Sequence, residues 1–537
     1  MASTFLHGVS ITEVLVGGVP ITVVPAAVIG LVGTAPTWAV PSTSLFQPPK
    51  PNVPTLIGST GQAGAFGPMI QGYTIPYALN HIQLQATSGV SSIGQTIAIN
   101  VFNPAVHNTA VVSQALTMPA SGTQYVNTGH MGLVGPGLNG YAGGTTVVLK
   151  NGAGSTTYLE GTDFTVDYIN GIIFTKSGGA ITVGEALTAS YSYCDPSKVA
   201  DADLIGAVTM GVYTGMQAFL TCTSLMGFTP HILIVPAYAA GGTGVGSKDA
   251  TVATAMIALA STIKAFALLD STPATTVATA LSNRSNVATP FGTASYRAVL
   301  CYPCLDFTDL GFVPTGTTIN TAGAVINQVA NTTVDGPLSA WVAGAWSSQI
   351  VNRGFWWSPS NVTLNGPIGP DVQIYMSYTD PQADTNTLNA AGIFTVLNMF
   401  GTGLRSWGDR SAAYPTYTDV STFLPVRMVL DIVELSIQLA SLQFLDQPIS
   451  TGLINNVLLS INGFLRDLIR QGGLLPGSNI SYNPGDNPPL SLAAGIITFA
   501  VNLMGPPPAE HIIYSFVVNT ALLANIGPVQ QSQALTA

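Results

Sequence analysis

The sequence predicts a multidomain α/β protein: a mostly parallel-sheet core, an all-β sandwich inserted into it, and an α+β domain towards the C-terminal end. Three observations predict this. After Pro196, short apolar runs alternate with helical stretches, the pattern of a parallel sheet covered on both faces. Between about 82 and 195, short strands are punctuated by Asn151-Gly152 and Asn170-Gly171, dipeptides that supply the positive φ angles of tight hairpins. From Gly403 onward, two amphipathic helices precede a last strand-like run.

Taken in order, residues 1–20 form an arm. Val9, Ile11 and Leu15 fall on one side of an extended run, and Ser10, Thr12, Val14 and Val16 on the other, with Glu13 as the only charge. Gly17, Gly18 and Pro20 separate this run from the next. It reads either as a first core strand or as a strand whose free N–H and C=O groups suit the sheet edge of a neighbour. Residues 21–81 open the core, with 26–33 as a buried strand. Residues 82–196 are the inserted sandwich, and residues 197–402 resume the core. There, 213–226 suits a helix, 231–236 a strand, 249–269 a long helix, 296–302 a strand and 338–351 a helix. Residues 403–526 form the α+β domain. Arg427, Asp431, Glu434, Gln438 and Ser441 make one polar stripe of a helix. A second helix over 453–471 ends at Gly472-Gly473, and 510–518 reads as a final strand. Residues 527–537 look like a frayed tail.

Composition narrows the function. Charged residues make up 7% of 537, and the first 150 residues carry only Glu13, Lys50 and Lys150. Mean hydropathy is +0.43, so a surface this poor in charge calls for a membrane or for protein partners to cover it. The window 14–32 is broken by Gly17, Gly18, Pro20, Pro25 and Gly30, which suits neither a spanning helix nor a secretion signal. A net charge of −10 supplies no basic stripe for nucleic acid. Four scattered cysteines read as buried thiols and not as a disulfide framework.

No motif asks for catalysis. The run 241–248 places Ser247 between its last glycine and Lys248, which breaks the phosphate-loop pattern, and Asp249 follows. Cys301-Tyr302-Pro303-Cys304 lacks a second pair or a nearby histidine to complete a zinc site. The six histidines (7, 81, 107, 130, 231 and 511) show no metal spacing. Gly292-Thr293-Ala294-Ser295 is a loose echo of a subtilisin-type serine, with no acid and base placed to serve it. Neither a metal nor a cofactor is implied. A self-assembling surface-layer or adhesin protein would share the composition but would carry a secretion signal.

Several stretches, in order, are familiar: 27–36 (AVIGLVGTAP), 227–236 (GFTPHILIVP), 354–361 (GFWWSPSN), 388–393 (LNAAGI), 403–410 (GLRSWGDR) and 507–510 (PPAE). In this sequence order the chain resembles contractile tail sheath proteins of the P2-like phage type, over most of its length except the β insertion. The resemblance implies a non-enzymatic structural subunit with a core that is subtilisin-like in fold only. It also implies polymerisation in six-fold helical layers around a tail tube protein, with baseplate and tail terminator proteins at the two ends and no nucleic acid or membrane insertion.

On the same ground the arms exchange strands with neighbouring copies. Val9, Ile11, Glu13, Val14, Leu15, Gly17 and Gly18 would serve at the N-terminal end, and Ile512, Tyr514, Phe516 and Val518 at the C-terminal end. Arg427, Asp431, Glu434, Arg466, Asp467 and Arg470 are the candidates to face the tube. The chain departs from the family in its scarcity of charge, which leaves little for charge-based attraction between sheath and tube.

Overall fold

In the computed structural model, which describes residues 21–525 apart from 42, 87–92, 123, 137, 139–145, 239–245 and 321–323, the apolar runs line up in one eight-stranded sheet. Its order is Thr55–Ile57, Thr96–Asn100, Ile29–Gly33, Ile232–Ile234, Phe266–Asp270, Ala298–Cys301, Ile393–Leu397 and Arg405–Trp407. The six inner strands are parallel. Only the outermost strand on each side pairs antiparallel.

Alternate residues of each strand enter different cores, which is why the strands read as unbroken apolar runs. Ile29, Leu31, Ile232, Ile234, Phe266 and Leu268 pack with the helices Ile75–Gln83 and Leu338–Arg353, including the fully buried Trp341 and Trp346. Val28, Val32, Leu233, Val235, Ala267 and Leu269 face the helix Ala250–Ile263 and the 3-10 segment Gly215–Thr221. The first of these cores continues into the C-terminal helices Leu424–Ser441 and Thr451–Gln471 through Met428, Ile432, Ile461 and Leu465. The second continues into the β insertion through Leu149, Phe164, Ile173 and Leu187.

The insertion contains a four-stranded and a three-stranded antiparallel sheet with a shared apolar interior. Gly171, at φ +69°, makes the turn between Phe164–Asp167 and Ile172–Thr175. The insertion starts later than residue 82, because Thr96–Asn100 is the parallel neighbour of Ile29–Gly33 in the core. A second antiparallel region, which the sequence did not announce, lies between 305 and 336. Its ribbon Phe312–Ile319 with Val325–Val329 touches the insertion, where Met131 N–H donates to Pro314 O at 2.9 Å.

Other expectations are corrected. The helix expected over 249–269 stops at Ile263, because Lys264 adopts φ +56° at its C-terminal cap and Phe266–Asp270 then enters the sheet. Residues 213–226 hold a 3-10 segment and the short helix Cys222–Met226, ended by Gly227 at φ +75°. Arg405–Trp407 belongs to the core sheet, so the core runs past the boundary expected at 402. Residues 510–518 have no strand partner among the described residues. The N-terminal arm (residues 1–20), the tail 527–537 and loop residues 241–245 lie outside the described residues.

Candidate functional site: the domain seam and the C-terminal arm

The polar stripe of the helix Leu424–Ser441 does not look outward along its length. Asp431 is 0% exposed and is gripped by two arginines. Arg297, just before the strand Ala298–Cys301, reaches Asp431 with both terminal nitrogens, and Arg427 donates to it at 2.7 and 3.1 Å. Lys264 bonds Glu434 at 2.6 Å. Val24 N–H donates to Ser436 Oγ at 3.0 Å, which ties the segment leading from the N-terminal arm to the same helix. Arg297 and Asp431 therefore hold the C-terminal domain against the core, with Arg427 bracing Asp431 from within the same helix, and the tube-facing expectation for Asp431 is corrected: a residue fully covered by Arg297 and Arg427 offers no charge to an outside partner. Glu434 is half exposed but paired with Lys264. Arg466, Asp467 and Arg470 are exposed on the second helix, the last two paired at 3.0 Å.

Beyond Glu510 the chain runs over the surface. Ile512, Tyr514, Phe516 and Val518 are 61, 74, 91 and 90% exposed, and no residue from 511 to 518 hydrogen-bonds to another described residue. Their two-residue spacing puts all four on one face of an extended segment. Nearby, Asn479–Ser481 and Ala500–Asn502 form a sheet of only two strands. Asn462, on the long helix, takes both backbone groups of Ile480, at 3.1 Å each, and so occupies the outer edge of that strand. The other edge, along the exposed residues 500–502, has no strand partner among the described residues.

The buried polar groups serve structure. Asp270 ends its strand beneath the helix Leu338–Arg353, accepts from Ser339 N–H at 2.9 Å and from the Ser339 and Ser247 hydroxyls at 2.6 and 2.7 Å. Burial pushes its carboxyl up to about 6, against the opposing effect of those hydrogen bonds. The position before a helix N-terminus suits an acid, and no histidine joins the cluster. His81 is stacked on Trp341 at 3.9 Å and shares a hydrogen bond with the Tyr238 hydroxyl, and burial pushes it down to about 3. Ser295 Oγ only accepts from Arg297 N–H in a local turn. Cys301 and Cys304 are buried with their thiols pushed well up by burial, an unreactive setting. The cleft lined by residues 23–28, Ile93, Gln95, Phe228, Ile350 and Phe355 has no titratable group in its walls. Among the described residues no cluster suits a metal ion, and no helix is long and apolar enough to cross a membrane.

Comparisons with known proteins identify the family. The model of the phage tail sheath protein central domain matches residues 211–412. The tail sheath protein of Burkholderia phage BcepMu is 37% identical over 529 residues, 98% of this chain and 99% of that protein. The chain belongs to the phage tail sheath family. Its likeness to the tail sheath protein of Escherichia phage P2 is 23% over 59% of this chain and 70% of that one, whereas the BcepMu relative spans nearly the whole chain.

Sheath proteins with solved structures share the fold. The sheath complex of the extracellular contractile injection system PVC, in its contracted state, covers 97% of this chain and 99% of its own at a TM-score of 0.52 and 15% identity. The contracted helical sheath of the anti-feeding prophage covers 96% and 100% at 0.50 and 18%. By family the chain is thus a tail sheath protein and a virion component, and these solved structures show its fold. Arg297 and Lys264, which join the core to the helix Leu424–Ser441, are not among the site residues that the sequence singles out. With only 14 Lys and Arg in 537 residues, scarcity was the available signal.

Proposed function

We propose that the chain is a non-enzymatic repeating unit that polymerises in six-fold helical layers around an inner tail tube protein, between baseplate and tail terminator proteins, and is assembled in the host cytoplasm. Contraction of the lattice drives the tube through the host envelope for genome ejection. The core keeps a subtilisin-like layout as scaffold only. The observation that carries this reading is the C-terminal arm: four large apolar side chains on one face of an extended segment whose backbone is unsatisfied within the described residues. An isolated subunit has no reason to leave them in water, and strand addition to a neighbour satisfies both groups. The Ala500–Asn502 edge of another copy is the landing place that fits, since Asn462 occupies the opposite edge. Val9, Ile11, Glu13, Val14 and Leu15 supply the matching N-terminal arm, with Gly17 and Gly18 absorbing rotation as subunits swing outward. Arg466, Asp467 and Arg470 are the exposed charges of the long helix available to meet the tube.

The driving force follows from area. At ~25 cal/mol per Å² of apolar surface, ~100 Å² gained per subunit on contraction contributes ~2.5 kcal/mol, and every subunit of the lattice adds its share in one direction. Negative-stain microscopy of the purified protein and of a variant lacking residues 1–18 tests the proposal. The full chain forms tubes, and the deletion gives folded particles without tubes. Normal tubes from the deletion contradict it.

A further inference from the structure

The C-terminal arm leaves the body at one well-defined place. Arg410 Nε and Nη2 donate to the two carboxylate oxygens of Glu510 at 2.7 to 3.2 Å, and Nη1 donates to Thr422 Oγ1 at 3.1 Å. The guanidinium carbon lies 4.3 Å from the Tyr414 ring centroid and 4.0 Å from that of Phe423, so aromatic rings hold the cation as well as the carboxylate. A forked pair of this kind fixes direction as well as distance. Behind Arg410 the backbone is tied in twice: Ser411 N–H donates to Thr422 O at 2.8 Å, and Ala412 N–H donates to Ala298 O at the start of a core strand. In front of it, hydrogen bonding to the body ends, and the exposed run 511–518 begins.

We propose that Arg410 and Glu510 form a clamp that sets the root of the C-terminal arm and transmits tension from a neighbouring copy into the core sheet. The partner is a second copy of this chain, and the clamp decides how much of the arm reaches it: the free length starts at His511. With the clamp open, slack passes back along 506–510, the reach of the arm lengthens, and the spacing between linked subunits loses definition. This inference rests on the reading of 511–518 as an inter-subunit arm. The clamp itself is a property of the single subunit.

The test uses the full chain, with a spin label on His511→Cys or, as a control, on Val517→Cys. The four native cysteines are buried and do not compete for label. In the unassembled subunit the label at 511 is restricted, and Glu510→Gln makes it at least twofold more mobile, as does 1 M salt. The label at 517 is the same in both backgrounds. In assembled material, Glu510→Gln tubes form but dissociate at a lower denaturant concentration and show a broader spread of subunit spacing. Arg410→Lys, which keeps charge but loses the fork, gives an intermediate mobility. Equal mobility at 511 with and without Glu510 overturns the clamp, whatever the tubes do. Tubes that persist after removal of 511–537 overturn the arm reading instead, while leaving the mobility result standing.

Discussion

Asp431 and Glu510 are both carboxylates held by arginine, yet they sit in opposite settings. Asp431 is 0% exposed between Arg297 and Arg427, whereas Glu510 keeps 44% of its side chain in water and has one arginine. Water screens the second pair and not the first. A buried pair is costly to break because the partner left behind has no solvent to return to, so the seam makes core and C-terminal domain move together. A half-exposed pair costs less to open, so of the two joints the one at Glu510 is the weaker. The contrast teaches that two carboxylate–arginine pairs of like chemistry differ in strength through burial.

The largest expected effect breaks the seam. Asp431→Ala strands Arg297 and Arg427 in the interface and costs about 3–5 kcal/mol in denaturant unfolding of the subunit. A cost below about 1 kcal/mol would erase the distinction from Glu510.

Next comes a pH test of burial at the other end of the core. The Asp270 carboxyl is raised in the folded state, to about 6 from 3.8, so its contribution is present below the unfolded value and is lost as pH rises through about 6. Asp270→Asn therefore gains stability relative to the parent between pH 4 and 7, by up to about 3 kcal/mol, read as the difference between two unfolding curves. A gap that does not change with pH contradicts this.

Smaller still, Glu510→Gln costs about 1 kcal/mol or less in the isolated subunit, and the loss disappears at 1 M salt. Asp467→Ala, in an exposed pair with Arg470, shifts stability by no more than about 0.5 kcal/mol. Its expected effect is on co-sedimentation with tail tubes.

Much of the fold was legible because it is local. The strands around Ile29, Ile232 and Val299 are apolar runs bounded by Gly or Pro. Gly472 at φ +84° ends the long helix, as the Gly-Gly pair announced. What was hidden is set by distant partners. Phe266–Asp270 continues the apolar texture of the preceding helix, and only the left-handed turn at Lys264 divides them. Thr96–Asn100 reads like the β insertion that follows it, but its neighbour is Ile29–Gly33, far earlier in the chain. Asp431 falls on a tidy polar stripe, and nothing in its helix reveals that Arg297, 134 residues away, covers it. Residues 510–518 alternate as a strand would, but no described strand pairs with them, so the pattern alone gave an element that the single subunit does not form.

The claim that neighbouring copies complete the subunit is tested most directly by amide hydrogen exchange over residues 512–518, in unassembled subunits and in assembled tubes. The account predicts rapid exchange in the subunit and slowing by at least a hundredfold on assembly, with residues 500–502 slowing in parallel. Slow exchange already present in the lone subunit, or fast exchange that persists in the tube, would contradict it.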